Sequence, residues 1–278
     1  MGLDTARQLR IEYEETFYHI TSRGNQREKI FWDTKDRERL KAILERTQER
    51  YGYLFHGYVL MNNHYHLLIE TPLANIKQIM QNVNTSYTVF VNRKYNRSGH
   101  LFQGRYKGFI VDKDRYLLAL SRYIHLNPVR AGAVKRAEEY QWSSYREYLY
   151  GSVDGALTDM DETLSFFSKH RAVAVRKYKE FVEAGIRAKT PLGDVAESIL
   201  GGRTFRERVH GRFAEIVGPW PDIESTSTTV TTLSTGMESR GSASITRRPQ
   251  AHPFGFIADI ELTRCSLISA FGPSPLTN

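Results

Sequence analysis

The sequence predicts an α+β fold built on an antiparallel sheet with helices packed against it, and three observations predict it. Runs rich in β-branched and aromatic residues, bounded by turn residues, recur at 17–23, 53–61, 64–71 and 106–111, as strands do. Two longer segments, 33–51 and 75–95, carry apolar residues every three or four positions, the spacing of one helix face. The second and third runs are separated only by Asn62 and Asn63, which suits a tight hairpin. The resulting order, β-α-β-β-α-β, is the ferredoxin-like or split βαβ pattern, an antiparallel sheet with helices on one face.

Each element rests on local chemistry. The first strand ends at Gly24-Asn25, a turn signal. The helix at 33–51 has Asp33 and Thr34 as N-cap candidates, whose side-chain oxygens can accept from the unpaired N–H groups of the first turn. It places Leu40, Ile43, Leu44 and Thr47 together, and Gly52 follows it as a glycine that can close a helix in the left-handed conformation. The run at 53–61 is apolar on both faces, which puts its neighbour 64–71 on a central strand. Helix 75–95 aligns Ile76, Ile79, Met80, Val83, Tyr87 and Phe90 and stops before Asn96. After the strand at 106–111, a helix from Lys113 is expected to end near Asn127, because Pro128 disfavours helical geometry at the residue before it.

Beyond Gly132, helical pieces at 138–150, 161–184 and 192–213 predict a small C-terminal helical region. After Val217 the chain is Ser/Thr-rich, with few large apolar residues and no period, which predicts disorder. The abrupt change of character there raises a frameshifted or altered tail as a hypothesis.

Composition narrows the class. No apolar run approaches the ~20 residues of a membrane span, so a membrane protein is not expected. The first fifteen residues lack a secretory apolar core, and the single Cys265 cannot form an internal disulfide. A cytoplasmic setting is therefore expected. The net charge of +8 is concentrated: residues 71–132 hold 10 Lys and Arg against only Asp112 and Asp114. Tyr87, Phe90, Tyr95, Phe102, Tyr106 and Phe109 are interleaved with these cations, a pattern suited to a polyanion whose bases can stack.

The chemistry starts from His64 and His66. Side chains two apart on a strand project from the same face, so the two imidazoles point together while Tyr65 points away. On a central strand they are costly to bury without a partner, and a cation or a phosphate would satisfy them. Tyr123 and Asn127 are four apart on a helix and share a face, so the Asn127 amide oxygen can complete a site that the histidines begin. An oxygen donor beside two imidazoles, with no cysteine, suits Mg²⁺ or Mn²⁺ better than a closed structural zinc site. Tyr123 is one of 16 tyrosines, and its company singles it out. A phenol attacks a phosphodiester well only where positive charge stabilises both the phenolate and the developing phosphorane. The cation, with Arg122, Arg105 or Lys107, could supply that charge. Arg23, Arg93, Lys94, Arg97, Arg105 and Lys107 are the candidate phosphate contacts. His19 could approach the site or the DNA but reads first as a strand histidine hydrogen-bonded inside the sheet, His125 reads as structural, and Trp142 could stack a base but reads first as a packing anchor.

Five motifs in order carry a resemblance: Tyr18-His-Ile-Thr-Ser-Arg-Gly-Asn25, Met61-Asn-Asn-His-Tyr-His-Leu-Leu68, Gly99-His-Leu-Phe-Gln-Gly-Arg-Tyr106, Tyr123-Ile-His-Leu-Asn-Pro-Val-Arg-Ala-Gly132 and Trp142-Ser-Ser-Tyr145. Over about residues 13–150 the chain resembles the single-tyrosine transposases of the IS200-like class, and within them the relatives associated with repetitive extragenic palindromes. The resemblance implies a metal held by His64 and His66 with Asn127 as third ligand, and Tyr123 as nucleophile. It implies single-stranded DNA with a hairpin as partner, a 5′-phosphotyrosine intermediate and a free 3′ hydroxyl, and it allows a homodimer. The domain plan that follows is a catalytic domain over 13–132, a helical extension over 133–217 and a disordered or altered tail over 218–278.

Two alternatives share parts of this pattern. A non-catalytic ferredoxin-like nucleic-acid-binding module would carry aromatic-rich central strands, where this chain carries two histidines. A replication initiator or relaxase-type nicking enzyme would share the histidine pair and the tyrosine chemistry, with different spacing around the tyrosine.

Overall fold

The computed structural model describes residues 12–151, 157–188, 191 and 199–217. Seven elements follow in the expected order: β1 (Thr16–Arg23), α1 (Thr34–Tyr51), β2 (Leu54–Met61), β3 (His64–Thr71), α2 (Ile76–Lys94), β4 (Lys107–Val111) and α3 (Lys113–Arg130). After them come α4 (Tyr145–Tyr150), α5 (Asp161–Ser165), α6 (Arg171–Ala184), β5 (Ile199–Leu200) and α7 (Arg203–Val217). The sheet runs β2-β3-β1-β4-β5. Its first four strands pair antiparallel, the ferredoxin-like arrangement, and β5 adds parallel to β4.

Alternation along the strands creates two different faces. Tyr18, Ile20, Tyr65, Leu67 and Ile69 enter one core with Leu40 and Leu44 of α1 and Ile79, Met80 and Val83 of α2. Phe17, Val59, Leu68 and Val111 enter a second core beneath Leu117, Leu120 and Ile124 of α3. The expectation of helices on one face thus holds for α1 and α2, whereas α3 crosses the opposite face. This separation matters because the even-numbered residues of β3, His64 and His66 among them, all face α3. Truncating a fully buried leucine such as Leu68 would cost about 2–5 kcal/mol.

Helix α1 begins as its sequence dictates. The Asp36 N–H donates to Asp33 Oδ1 at 3.0 Å, the Asp33 N–H donates to Asp36 Oδ2 at 3.1 Å, and two orphan donors are satisfied reciprocally. At the other end Gly52 adopts φ +64°, a left-handed conformation that a side chain would strain.

Five expectations are corrected. Helix α3 continues through Pro128 to Arg130. The proline lies in the last turn, where its missing N–H removes a single bond, and the end is secured by Ala131 N–H to Asn127 O at 2.9 Å and Ala133 N–H to Pro128 O at 2.9 Å. The segment 138–150 is helical only in a short 3₁₀ turn, Ala137–Glu139, and in α4. Between these, Ser143 bridges Val59, with Leu60 N–H donating to Trp142 O and Ser144 N–H donating to Tyr58 O, so the chain covers the free edge of β2. The segment 161–184 is two helices, α5 and α6. Within 192–213 the described part opens on β5 rather than helix; residues 192–198 and the expected tail 218–278 lie outside the described residues. The interleaved aromatics are also mainly core: Tyr87, Phe102 and Tyr106 are buried, and the Tyr87 hydroxyl donates to Ile30 O at 2.7 Å.

A third apolar cluster lies on the outer side of α3, where Leu126 meets Tyr145 and Tyr148 of α4 and Tyr178 and Val182 of α6. His125 is fully buried beside it. Its Nε2 is 2.8 Å from Ser144 Oγ and its Nδ1 2.7 Å from the Tyr178 hydroxyl. It is structural, as its spacing from Tyr123 suggests, and it ties α3 to both neighbouring segments. Among the described residues no helix is long and apolar enough to cross a membrane.

Candidate active site

Register brings the site together. In the β1–β3 ladder Arg23 stands opposite His64 and Thr21 opposite His66, and across the β1–β4 ladder Thr21 stands opposite Lys107. Directly opposed residues share a face, so these side chains line one end of the sheet face that α3 covers. His64 and His66 sit there with ring centroids 5.1 Å apart and planes nearly perpendicular.

Each imidazole already has one nitrogen engaged. His64 Nδ1 lies 2.7 Å from Asn63 Oδ1, which as a carbonyl oxygen can only accept, so His64 carries its proton on Nδ1. His66 Nδ1 lies 2.9 Å from His19 Nε2. Nε2 of each ring is then the atom on offer as a ligand. Burial first, and then the Arg23 guanidinium, lower the pKa of His64 to about 4. Burial again, followed by His19 and His64, holds His66 well below the usual histidine range. Both rings are therefore neutral at neutral pH, the state in which imidazole binds a cation.

Helix α3 supplies the other half. The Tyr123 ring stands edge-on to His66, with centroids 5.7 Å apart, and edge-on to His19 at 6.3 Å. One turn later the Asn127 side chain comes beside His64. A third residue, another turn on, was not foreseen: the Arg130 guanidinium carbon lies 5.7 Å from the Tyr123 ring centroid. Arg130 Nη2 donates to Gly185 O at 3.1 Å and Ala188 O at 2.9 Å, so main-chain carbonyls beyond α6 hold it there. Its spacing of seven from Tyr123, two helical turns, is a signal the sequence does contain.

The remaining candidates separate into groups. Arg23 and Lys107 fall at the histidine end of the sheet and are exposed, as is Arg105. Arg93 and Lys94 end α2 and Arg97 follows shortly after it, in the layer on the other face. There Lys94 Nζ is 2.7 Å from carboxylate oxygens of both Asp33 and Asp36, and Arg97 packs over Trp32 and meets Glu28 at 3.5 Å. Arg122 stacks on Phe181 of α6, with its guanidinium carbon 4.4 Å from the ring centroid.

The donor set fits a divalent cation: two neutral imidazoles present Nε2, and a carboxamide stands beside one of them. A second group able to hold a metal ion, His56, Glu70 and Glu162, has ligand atoms within 4.8 Å of one another. Lys113 Nζ is 2.6 Å from both Glu70 Oε2 and Glu162 Oε2, so an ammonium already supplies the positive charge there. Glu70 accordingly titrates at about 2, lowered first by its hydrogen bond to His56.

Residues 12–127, from the approach to β1 through Asn127, match the family model of IS200-like transposases. No protein of curated function matches the chain. Among solved structures, that of a REP-associated tyrosine transposase bound to a REP hairpin is 17% identical, with a TM-score of 0.46 over 56% of this chain and 96% of the other. A crystal structure from Deinococcus radiodurans R1 described as a transposase is 18% identical, with a TM-score of 0.30 over 44% of this chain and 95% of the other.

Proposed function

We propose, from the match of residues 12–127 to the family model of IS200-like transposases, that this chain cleaves and rejoins single-stranded DNA through a covalent bond between the Tyr123 phenol oxygen and a 5′ phosphate. The observation that carries the proposal is the meeting of two elements: Tyr123 edge-on to His66 and, one turn along the same helix, Asn127 in contact with His64.

In the proposed reaction the phenol oxygen attacks phosphorus and the bond to the preceding 3′ oxygen breaks. The phenol proton is lost, the departing oxygen gains one, and a 3′ hydroxyl is left. One phosphate ester replaces another, so no nucleotide cofactor is consumed, and a 3′ hydroxyl can reverse the step at a new junction. His64, His66 and Asn127 would hold Mg²⁺ or Mn²⁺, which when bound stabilises the charge gathering on the phosphate oxygens. Arg130 places a further cation against the Tyr123 ring, where it would add to the positive charge around the reacting phosphate. Arg23 and Lys107, at the same end of the sheet, are placed to steer the phosphodiester backbone.

The substrate proposed is hairpin-bearing DNA, on the strength of the motifs shared with the palindrome-associated relatives, and the protein could act as a homodimer. Residues 13–132 form the proposed catalytic domain, and 133–217 the extension that braces α3 through His125, Tyr178 and the carbonyls that hold Arg130. The test is incubation with labelled hairpin-bearing single-stranded DNA and Mg²⁺ or Mn²⁺. A covalent protein–DNA adduct on a denaturing gel is expected. A binding module would retard the DNA and form no adduct with any hairpin.

A further inference from the structure

We propose that His19 is a positioning residue for His66: it accepts the Nδ1 proton of His66 and so holds that imidazole with Nε2 bare toward the cation site. This rests on the reading of His64 and His66 as cation ligands.

His19 lies on β1, diagonal to His66 across the β1–β3 ladder and on the same face, since Thr21 opposes His66 and His19 opposes Leu68. Both rings are buried, His19 completely. Their planes are parallel within 7°, which aligns His19 Nε2 with His66 Nδ1 at 2.9 Å. Phe109 of β4 stacks against His19 from the other strand, with centroids 5.9 Å apart. The pair is thereby fixed in orientation from both sides.

Between two neutral imidazoles in this arrangement there is room for one proton, so one nitrogen donates and the other accepts. Two tautomer pairs satisfy the contact. In one, His66 carries Nδ1–H, its Nε2 has a free lone pair, and His19 carries its own proton on Nδ1. In the other, His19 Nε2–H donates, and the His66 proton sits on Nε2, where it blocks ligation. His19 Nδ1 has no hydrogen-bond partner among the described residues, so no protein group commits His19 to either pair, and the first leaves its Nδ1–H without an acceptor. A cation at His66 Nε2 selects the first. Asn63 stands in the same relation to His64, with the difference that an amide oxygen is a permanent acceptor whereas His19 accepts in only one of its two forms. The two ligands are therefore set by different means, and the His66 side is the adjustable one.

A core histidine that merely fills space would be replaceable by any ring of similar size. The test compares His19→Phe, which keeps a ring and removes the acceptor, with His19→Gln, whose amide oxygen can accept from His66. Mn²⁺ affinity of the full chain is measured by calorimetry and electron paramagnetic resonance, and the ring nitrogens of His66 are followed by ¹⁵N NMR. Loss of a group orienting a ligating histidine typically costs about 10–100-fold in metal affinity. His19→Phe should weaken Mn²⁺ binding by about that factor, and His19→Gln should recover most of it. In the wild type the Mg²⁺-loaded protein should show His66 protonated on Nδ1. A folded His19→Phe that binds Mn²⁺ as tightly as the wild type overturns the proposal, as do Phe and Gln variants that are equally impaired. Should His19→Phe not fold, the wild-type spectrum decides alone: a His66 proton on Nε2 in the loaded protein is the contrary result. His66→Ala separates the two readings, because unchanged Mn²⁺ affinity there refutes the ligand assignment itself rather than the role of His19.

Discussion

The guanidinium of Arg130 lies against the ring of Tyr123, 5.7 Å from its centroid, and is held there by the carbonyls of Gly185 and Ala188. A residue two turns past the proposed nucleophile is thus positioned by chain some 55 residues further on. Arg130→Ala should slow single-turnover adduct formation by about 10–100-fold, toward the lower part of what one electrostatic donor supplies in an active site. Arg130→Lys keeps the charge without the planar fork and should fall between. Rates equal to wild type in both variants would remove Arg130 from the reaction.

The histidine pair predicts strict dependence on a divalent cation. Chelation should stop cleavage and added Mn²⁺ or Mg²⁺ should restore it, while His64→Ala and His66→Ala should each lose at least about 10-fold in metal affinity. Metal titrations followed by cleavage rate give the answer. Full metal-dependent activity in His64→Ala would contradict the assignment.

How far these features could be read from the sequence depends on how local they are. The strand of His64 and His66, the cap at Asp33 and the closing Gly52 are written within a few residues and were legible. The shared face of Tyr123 and Asn127 follows from helical spacing alone. Contacts set by register between distant segments were not: His19 meets His66 only because β1 and β3 pair with a particular offset, and no residue near His19 announces that offset. Ser143 covering the edge of β2, and the carbonyls at 185 and 188 holding Arg130, depend on how the C-terminal extension folds back. Pro128 departs from expectation because a local rule against helix before proline is stronger in the sequence than the packing that buries Pro128 in the last turn.

The basic residues should divide by location. Lys94 neutralises Asp36, whose side chain is wholly buried, so Lys94→Ala should lower the melting temperature by roughly 2–4 °C and leave the salt dependence of DNA binding nearly unchanged. Arg105→Ala and Lys107→Ala should do the reverse, each reducing the slope of log affinity against log salt by about 0.7 for a single strand. Melting curves and salt titrations of the same three variants test this. An unaltered slope for both Arg105→Ala and Lys107→Ala would remove them from the DNA path.

Buried neutral histidines should make the fold acid-sensitive. Burial lowers His19 to about 4 and His125 to about 3, whereas an unfolded histidine titrates near ~6.5. Between these values the unfolded chain binds more protons, so the stabilisation present above about pH 6.5 is lost as pH falls toward 4, at up to about 1.4 kcal/mol per pH unit for each histidine. Denaturant midpoints measured from pH 7 to pH 4.5 should fall steadily. His125→Asn should flatten part of the slope, and a midpoint independent of pH would show that these histidines are not buried neutral.

The central claim is that Tyr123 forms the bond to DNA. Wild-type protein and Tyr123→Phe are incubated with 5′-hairpin single-stranded DNA and Mn²⁺, the products are digested, and the cross-linked peptide is identified by mass spectrometry. The account predicts an adduct in the wild type whose DNA-bearing peptide spans Tyr123, and none in Tyr123→Phe although that variant folds and binds Mn²⁺ normally. An adduct that survives in Tyr123→Phe, or that maps to another residue, would contradict it.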